Sequence, residues 1–273
     1  MFADALIDRA KSRVFTRRRA GLALVVMLSA AMLVAGAGGA DGSPAPAPIQ
    51  PGAAIGSGFG CTLNFVFRDD AERLYIGTAG HCTAEVGQEV SLYEDGSIVG
   101  EVVFRHIDYR DPFEDPMHNG PAWIHYVAED PDFALIAVDR ERYDDVSPAV
   151  RGWGGPTGVA DPSETAVGDL VYVYGQGAGM RQRGQQARAG SLLGHDEHMF
   201  EFAMPISGGD SGSPVIHAAT GMALGHVHGF HNGPPLTRAL EALAAAGFDV
   251  ELVTGPPVVE VHPTVSRVLS LFG

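Results

Sequence analysis

Twelve short stretches rich in branched and aromatic residues punctuate the chain, each closed by turn-forming residues. The first six fall at 63–67, 74–77, 89–93, 98–104, 123–127 and 134–138. A Gly- and Pro-rich interval, 148–168, separates them from a second six at 170–174, 187–193, 199–204, 214–217, 222–227 and 248–253. Runs this short at this spacing predict an all-β protein, sandwich or barrel, built as two modules. The 273 residues suffice for one large domain of this kind or two small ones. One helix is predicted near the end. Thr237 can cap it, Glu241 follows, Leu240, Leu243 and Ala244 give an apolar face, and Gly247 can close it in a left-handed conformation.

The first 40 residues belong to neither module. Arg9, Lys11, Arg13, Arg17, Arg18 and Arg19 precede an apolar run from Ala20 to Ala35, and small residues follow to Ala40. A basic region, an apolar core and a small-residue zone make a secretory signal. The apolar run is about 16 residues, short of the roughly 20 that span a bilayer, so an uncleaved signal-anchor is the secondary reading. The Arg17-Arg18 pair reads as an ordinary basic flank rather than a twin-arginine signal. Residues 41–54 form a Pro/Ala-rich linker. Removing residues 1–40 takes away six basic and two acidic side chains, so the net charge moves from −15 to −19 and the only lysine, Lys11, is lost. Such a surface repels nucleic-acid phosphates.

Three fragments carry the chemistry: Thr78-Ala79-Gly80-His81-Cys82, Asp132-Phe133-Ala134-Leu135, and Gly208-Gly209-Asp210-Ser211-Gly212-Ser213-Pro214. A serine hydroxyl is a poor nucleophile until an imidazole takes its proton. The imidazole in turn needs a buried carboxylate to fix its tautomer. A nucleophile elbow is a poor alternative. It needs Gly at position 213, where Ser stands, and a later acid and histidine, for which only Glu241 or Asp249 and then His262 are available.

In these fragments the sequence resembles the chymotrypsin/trypsin family of serine proteases in its short bacterial form. The order His…Asp…Ser matches, with gaps of 51 and 79 residues, and the resemblance spans roughly residues 55–235. It implies two six-stranded antiparallel β-barrels with a short C-terminal helix. His81 would be general base and acid, Asp132 its orienter, and Ser211 the nucleophile. The N–H groups of Gly209 and Ser211 would form the oxyanion hole. In many members the carboxylate matching Asp210 pairs with a new N-terminal amine after activation cleavage, and no such cleavage site stands out here. The family also carries a disulfide where Cys61 and Cys82 stand, and an even cysteine count in a secreted chain reads the same way. That bridge would contribute about 3 kcal/mol by the chain-entropy model.

The family's substrate pocket has two walls, which fall here at Pro205-Ile206-Ser207-Gly208 and within 225–229. No carboxylate lies near Pro205, so an Arg or Lys preference is not expected, because an unpaired buried cation is costly. An apolar or medium-sized side chain is the default. His226, His228 and His231 follow. His226 and His228 share one face if this segment is a strand, and could contact an acidic substrate side chain. Glutamate-specific relatives carry hydroxyl residues around that pocket, and Ile206 and Phe230 do not fit that pattern. A metal site is a third reading, and surface or cleft histidines with no evident carboxylate partner are the preferred one. The acidic loop 108–121 reads as a solvated loop in preference to a calcium site.

The expected layout is a signal or anchor at 1–40, a linker at 41–54, a protease domain at 55–255 and a tail at 256–273 that the family does not supply. Barrel one would take about 55–147 and barrel two about 165–255. The expected function is a secreted, monomeric serine endopeptidase acting on polypeptides, without cofactor, metal or nucleic acid. It would meet a membrane only if the N-terminal apolar segment is retained. A catalytically silent binding or adhesion protein of the cell envelope is the alternative.

Overall fold

A computed structural model describes residues 49–56, 60–107, 131–229 and 231–258. The expected signal, most of the linker, the acidic loop, the run 123–127, Phe230, His262 and the tail beyond 258 lie outside the described residues.

The strands in chain order are β1 (Ala54–Ile55), β2 (Cys61–Thr62), β3 (Val66–Asp69), β4 (Leu74–Ala79), β5 (Glu89–Ser91), β6 (Ile98–His106) and β7 (Phe133–Val138), then β8 (Leu170–Tyr174), β9 (Ala187–His195), β10 (Phe200–Ala203), β11 (Pro214–His217), β12 (Ala223–His226), β13 (Asn232–Gly233) and β14 (Val250–Leu252). They assemble into two six-stranded sheets, ordered β14-β3-β4-β7-β6-β5 and β12-β11-β8-β9-β10-β13, and a small β1-β2 ribbon. Every strand pairing is antiparallel. The all-β, chymotrypsin-like double arrangement expected from the sequence is the fold observed.

Side-chain alternation explains why the central strands carry almost no polar residues. In β7, Ala134, Ile136 and Val138 enter a core with Val66, Ile76 and Val102, inside the first sheet. Phe133 and Leu135, on the opposite face, enter a second core with Phe67, Tyr172, Ile216 and Leu243. That second core joins residues of both sheets. In β8, Val171 and Val173 fill a third core with Leu192, Phe202 and Leu224, while Tyr172 turns to the shared one. Each sheet therefore buries one face internally and part of the other against its neighbour. The shared core is what fixes the two halves of the site relative to each other.

The helix spans Leu236–Ala245 and buries Leu236, Ala239 and Leu243; Ala244, expected on that face, is exposed. Its N-cap is Pro235, with no side-chain cap, so Thr237 lies inside the first turn. The C-terminus follows expectation. Gly247 has φ +88°, its N–H donates to Ala244, and the Phe248 N–H donates to Leu243, a Schellman closure. The chain then departs from the expected layout. The run assigned to barrel two forms β14, which pairs with β3 in the first sheet. The Gly255 N–H continues to Pro156, and Pro256 accepts from Gly155. The edge of β3 offers unpaired backbone groups, and this last strand satisfies them.

Candidate active site

His81 lies on a single 3₁₀ turn, Gly80–Cys82, directly after β4, and Asp132 immediately precedes β7, the strand paired with β4. Sheet register therefore brings together two residues 51 positions apart. Gly80 has to be glycine: a Cβ there would meet the His106 carbonyl and the Asp132 carboxylate. The Gly80 N–H donates to the Asp132 carbonyl at 2.8 Å. Asp132 has φ +39°, an uncommon conformation for a residue with a side chain.

The Asp132 side chain is 1 % exposed and highly engaged. Its Oδ1 accepts the His81 backbone N–H at 2.9 Å, and its Oδ2 accepts His81 Nδ1 at 2.7 Å. A carboxylate only accepts, so His81 is the Nδ1–H tautomer and its Nε2 is left basic. Oδ2 also accepts Nδ1 of His228 at 2.6 Å, and the Asp132 carbonyl accepts Nε2 of His226 at 3.0 Å. Burial alone would raise the Asp132 carboxyl. The hydrogen bonds from His228 and His81 overcome that and hold it well below the usual carboxylate range. Burial pushes the fully enclosed His226 down to about 4, so it is neutral.

Ser211 is held against the same turn. Its carbonyl accepts the Thr62 N–H at 2.9 Å and lies 3.8 Å from Cys82 Sγ. Cys61 and Cys82 form the expected disulfide, so the segment that binds Ser211 is covalently joined to the His81 turn. Gly212, at φ +84°, brings the loop so close that a Cβ would strike the Thr62 carbonyl, Thr78 Oγ1 and the Ala79 N–H. Thr62 Oγ1 donates to the Gly209 carbonyl at 2.8 Å and accepts the Gln176 N–H at 3.0 Å. Thr78 Oγ1 donates to the Thr62 carbonyl at 2.9 Å. Thr62 thus ties the first module to both residues of the expected oxyanion hole.

Asp210 is fully buried and paired within the chain. Arg188 donates to it from both terminal nitrogens, at 2.9 and 2.6 Å, and the N–H groups of Gly177 and Ser207 add 2.8 and 2.9 Å bonds. The internal guanidinium occupies the carboxylate that the resemblance would give to an N-terminal amine. Sequence reading missed Arg188, yet a signal exists. It alternates with Gly190 and Leu192 on the buried face of β9, a position where a charge needs a partner.

Of the expected pocket residues, Pro205 and Gly208 are exposed, and Ile206 and Ser207 are partly buried. His226 and His228 are buried and bonded to Asp132, the carboxylate partner that the sequence did not reveal. Among the described residues His81, Asp132 and His228 are close enough to be considered as metal ligands. Ligand atoms about 2.0 Å from a tetrahedral zinc sit more than 3 Å apart, whereas these contacts are 2.6 and 2.7 Å. The cluster is a hydrogen-bond network.

This fold and constellation define a serine-type endopeptidase. The family model for the trypsin-like peptidase domain matches residues 61–225, and the chain belongs to that family. No curated protein sequence matches it at a significant level. Among solved structures, one similar chain is a glutamic-acid-specific serine protease reported to use a histidine triad in substrate binding. It is 19 % identical, covers 75 % of this chain and all of its own, and has a TM-score of 0.50. Protease A of Thermobifida fusca is also 19 % identical, with 76 % and 99 % coverage and a TM-score of 0.50. At this identity both establish likeness of fold.

Proposed function

We propose that the chain is a secreted serine endopeptidase working through an acyl-enzyme. The observation that carries this is the bonded His81–Asp132 pair on a turn disulfide-linked to the segment that binds Ser211. Ser211 Oγ attacks the scissile carbonyl as its proton passes to Nε2 of His81. Asp132 keeps the Nδ1 proton in place and stabilises the imidazolium without itself being protonated. The N–H groups of Gly209 and Ser211 receive the oxyanion, a single such donor being worth about 2.7–4 kcal/mol. His81 returns the proton to the leaving amine, water attacks the ester, and the acid product departs.

Arg188 supports function without a newly cut N-terminus, because the Asp210 loop is already neutralised. Pro205, Ile206, Ser207 and Gly208 wall a pocket for an apolar or medium-sized side chain. An acidic preference of the kind reported for the glutamate-specific relative finds no support in His226 and His228, which serve Asp132. The layout of signal, linker and domain fits export. Among the described residues no helix is long and apolar enough to cross a membrane. A fluorophosphonate probe should label the mature chain and fail to label folded Ser211→Ala. A folded mature chain that never reacts would favour the silent binder instead.

A further inference from the structure

A single carboxylate oxygen accepting two imidazoles is unusual, because one donor is enough to orient His81. Asp132 Oδ2 receives Nδ1–H from His81 at 2.7 Å and from His228 at 2.6 Å. The two rings meet edge to face, centroids 5.7 Å apart and planes at 83°. Oδ1 is taken by the His81 backbone, so the carboxylate has lost its freedom to rotate. Other charged or titratable groups near this network are His226, on the Asp132 carbonyl, and Arg105 and His106 on β6. Arg105 Nε donates to the carbonyls of Gly80 and Thr83.

We infer that His228 is a positioning residue for catalysis: its Nδ1–H locks the Asp132 carboxylate toward His81 and takes part of the charge that His81 would otherwise face alone. The inference rests on the triad proposed above. Both consequences can be measured. Without His228 the carboxylate loses one of the bonds that hold it and turns more readily, so fewer encounters find His81 correctly held and kcat falls. More of its charge is then directed at His81, which favours the protonated imidazole. The acid limb of the kcat/KM profile then moves to higher pH.

The test uses three forms of the full chain: wild type, His228→Leu and His228→Asn. The Asn side chain carries an N–H donor on the same carbon that bears Nδ1 in histidine, yet it does not titrate. Losing a hydrogen bond to a charged group corresponds to about a 10- to 100-fold drop in kcat. His228→Leu should show that drop with KM little changed and the acid limb displaced upward. His228→Asn should restore most of kcat and return the limb toward wild type. Unchanged kcat and profile in His228→Leu, or His228→Asn no better than His228→Leu, would overturn the inference. If His228→Leu fails to fold, proton NMR of the wild type decides. Two strongly deshielded Nδ1–H signals, one from each histidine, are expected, and a single one overturns it. Fluorophosphonate labelling of the wild type runs beside these assays. Failure to label Ser211 would remove the triad reading itself, a result distinct from loss of the His228 effect alone.

Discussion

Two buried aspartates, one from each half of the molecule, are stabilised by opposite means. Asp210 meets a guanidinium head-on and two backbone N–H groups, so a fixed positive charge balances it. Asp132 meets two imidazoles and one backbone N–H. The difference follows from the work each does. Asp210 shapes the loop that carries Gly209 and Ser211, and a permanent partner suits a structural task. In the proposed mechanism Asp132 faces a ring whose charge appears and vanishes in each cycle. A fixed cation beside it would cancel the field that stabilises the imidazolium.

The sharpest way to break this contrast is Asp132→Asn. It keeps the shape of the side chain but offers a donor where His81 and His228 both need an acceptor, so His81 takes the wrong tautomer. Steady-state kinetics should show kcat lowered about 10⁴-fold, the scale of losing a triad carboxylate. The matching change on the other side is Arg188→Leu, which leaves Asp210 buried and unpaired. Urea unfolding should show a loss of about 3–5 kcal/mol, because the buried charge has lost its partner. If Arg188→Leu left stability intact and Asp132→Asn left kcat intact, the assignment of one structural and one catalytic aspartate would be wrong.

The smallest expected effect is on the Asp132 side and is read in the pH dependence of stability. His226 titrates near 4 in the folded chain and near 6.5 when unfolded. Between those values the unfolded state binds more protons, so stability falls as pH falls from about 6.5 toward 4. The loss between pH 7 and 5 should be about 2 kcal/mol, and His226→Gln should remove that part of the slope. Asp132, held below its ordinary value, contributes stability that is present above about pH 4 and lost only at lower pH. Denaturant midpoints measured across pH 4 to 7 would check this.

Much of this was readable beforehand. The runs at 170–174 and 214–217 became β8 and β11 with those limits, because alternation and flanking turns act locally. The His81, Asp132 and Ser211 fragments were legible because each needs its own small or glycine neighbours. Gly80 and Gly212 are hemmed in by backbone, as a motif reader would hope. What stayed hidden depends on contacts far apart in the chain. Nothing local tells residues 250–252 which sheet edge they will join, and they joined the first. His228 reaches Asp132 across 96 positions and Arg188 reaches Asp210 across 22. For Arg188 the inward place on β9 was a usable sign. For His228 the spacing from His226 suggested a shared face but not what that face meets.

The central claim is that the imidazole of His81 and the hydroxyl of Ser211 act on one bound substrate. A peptidyl chloromethyl ketone with an apolar side chain beside the reactive group tests this directly. Its carbonyl must be captured by the serine before the histidine nitrogen displaces chloride. Peptide mapping by mass spectrometry should find the adduct on His81 in the wild-type chain and little or none in folded Ser211→Ala. An adduct that forms on His81 equally well without the serine hydroxyl, or none in either chain, would contradict the account.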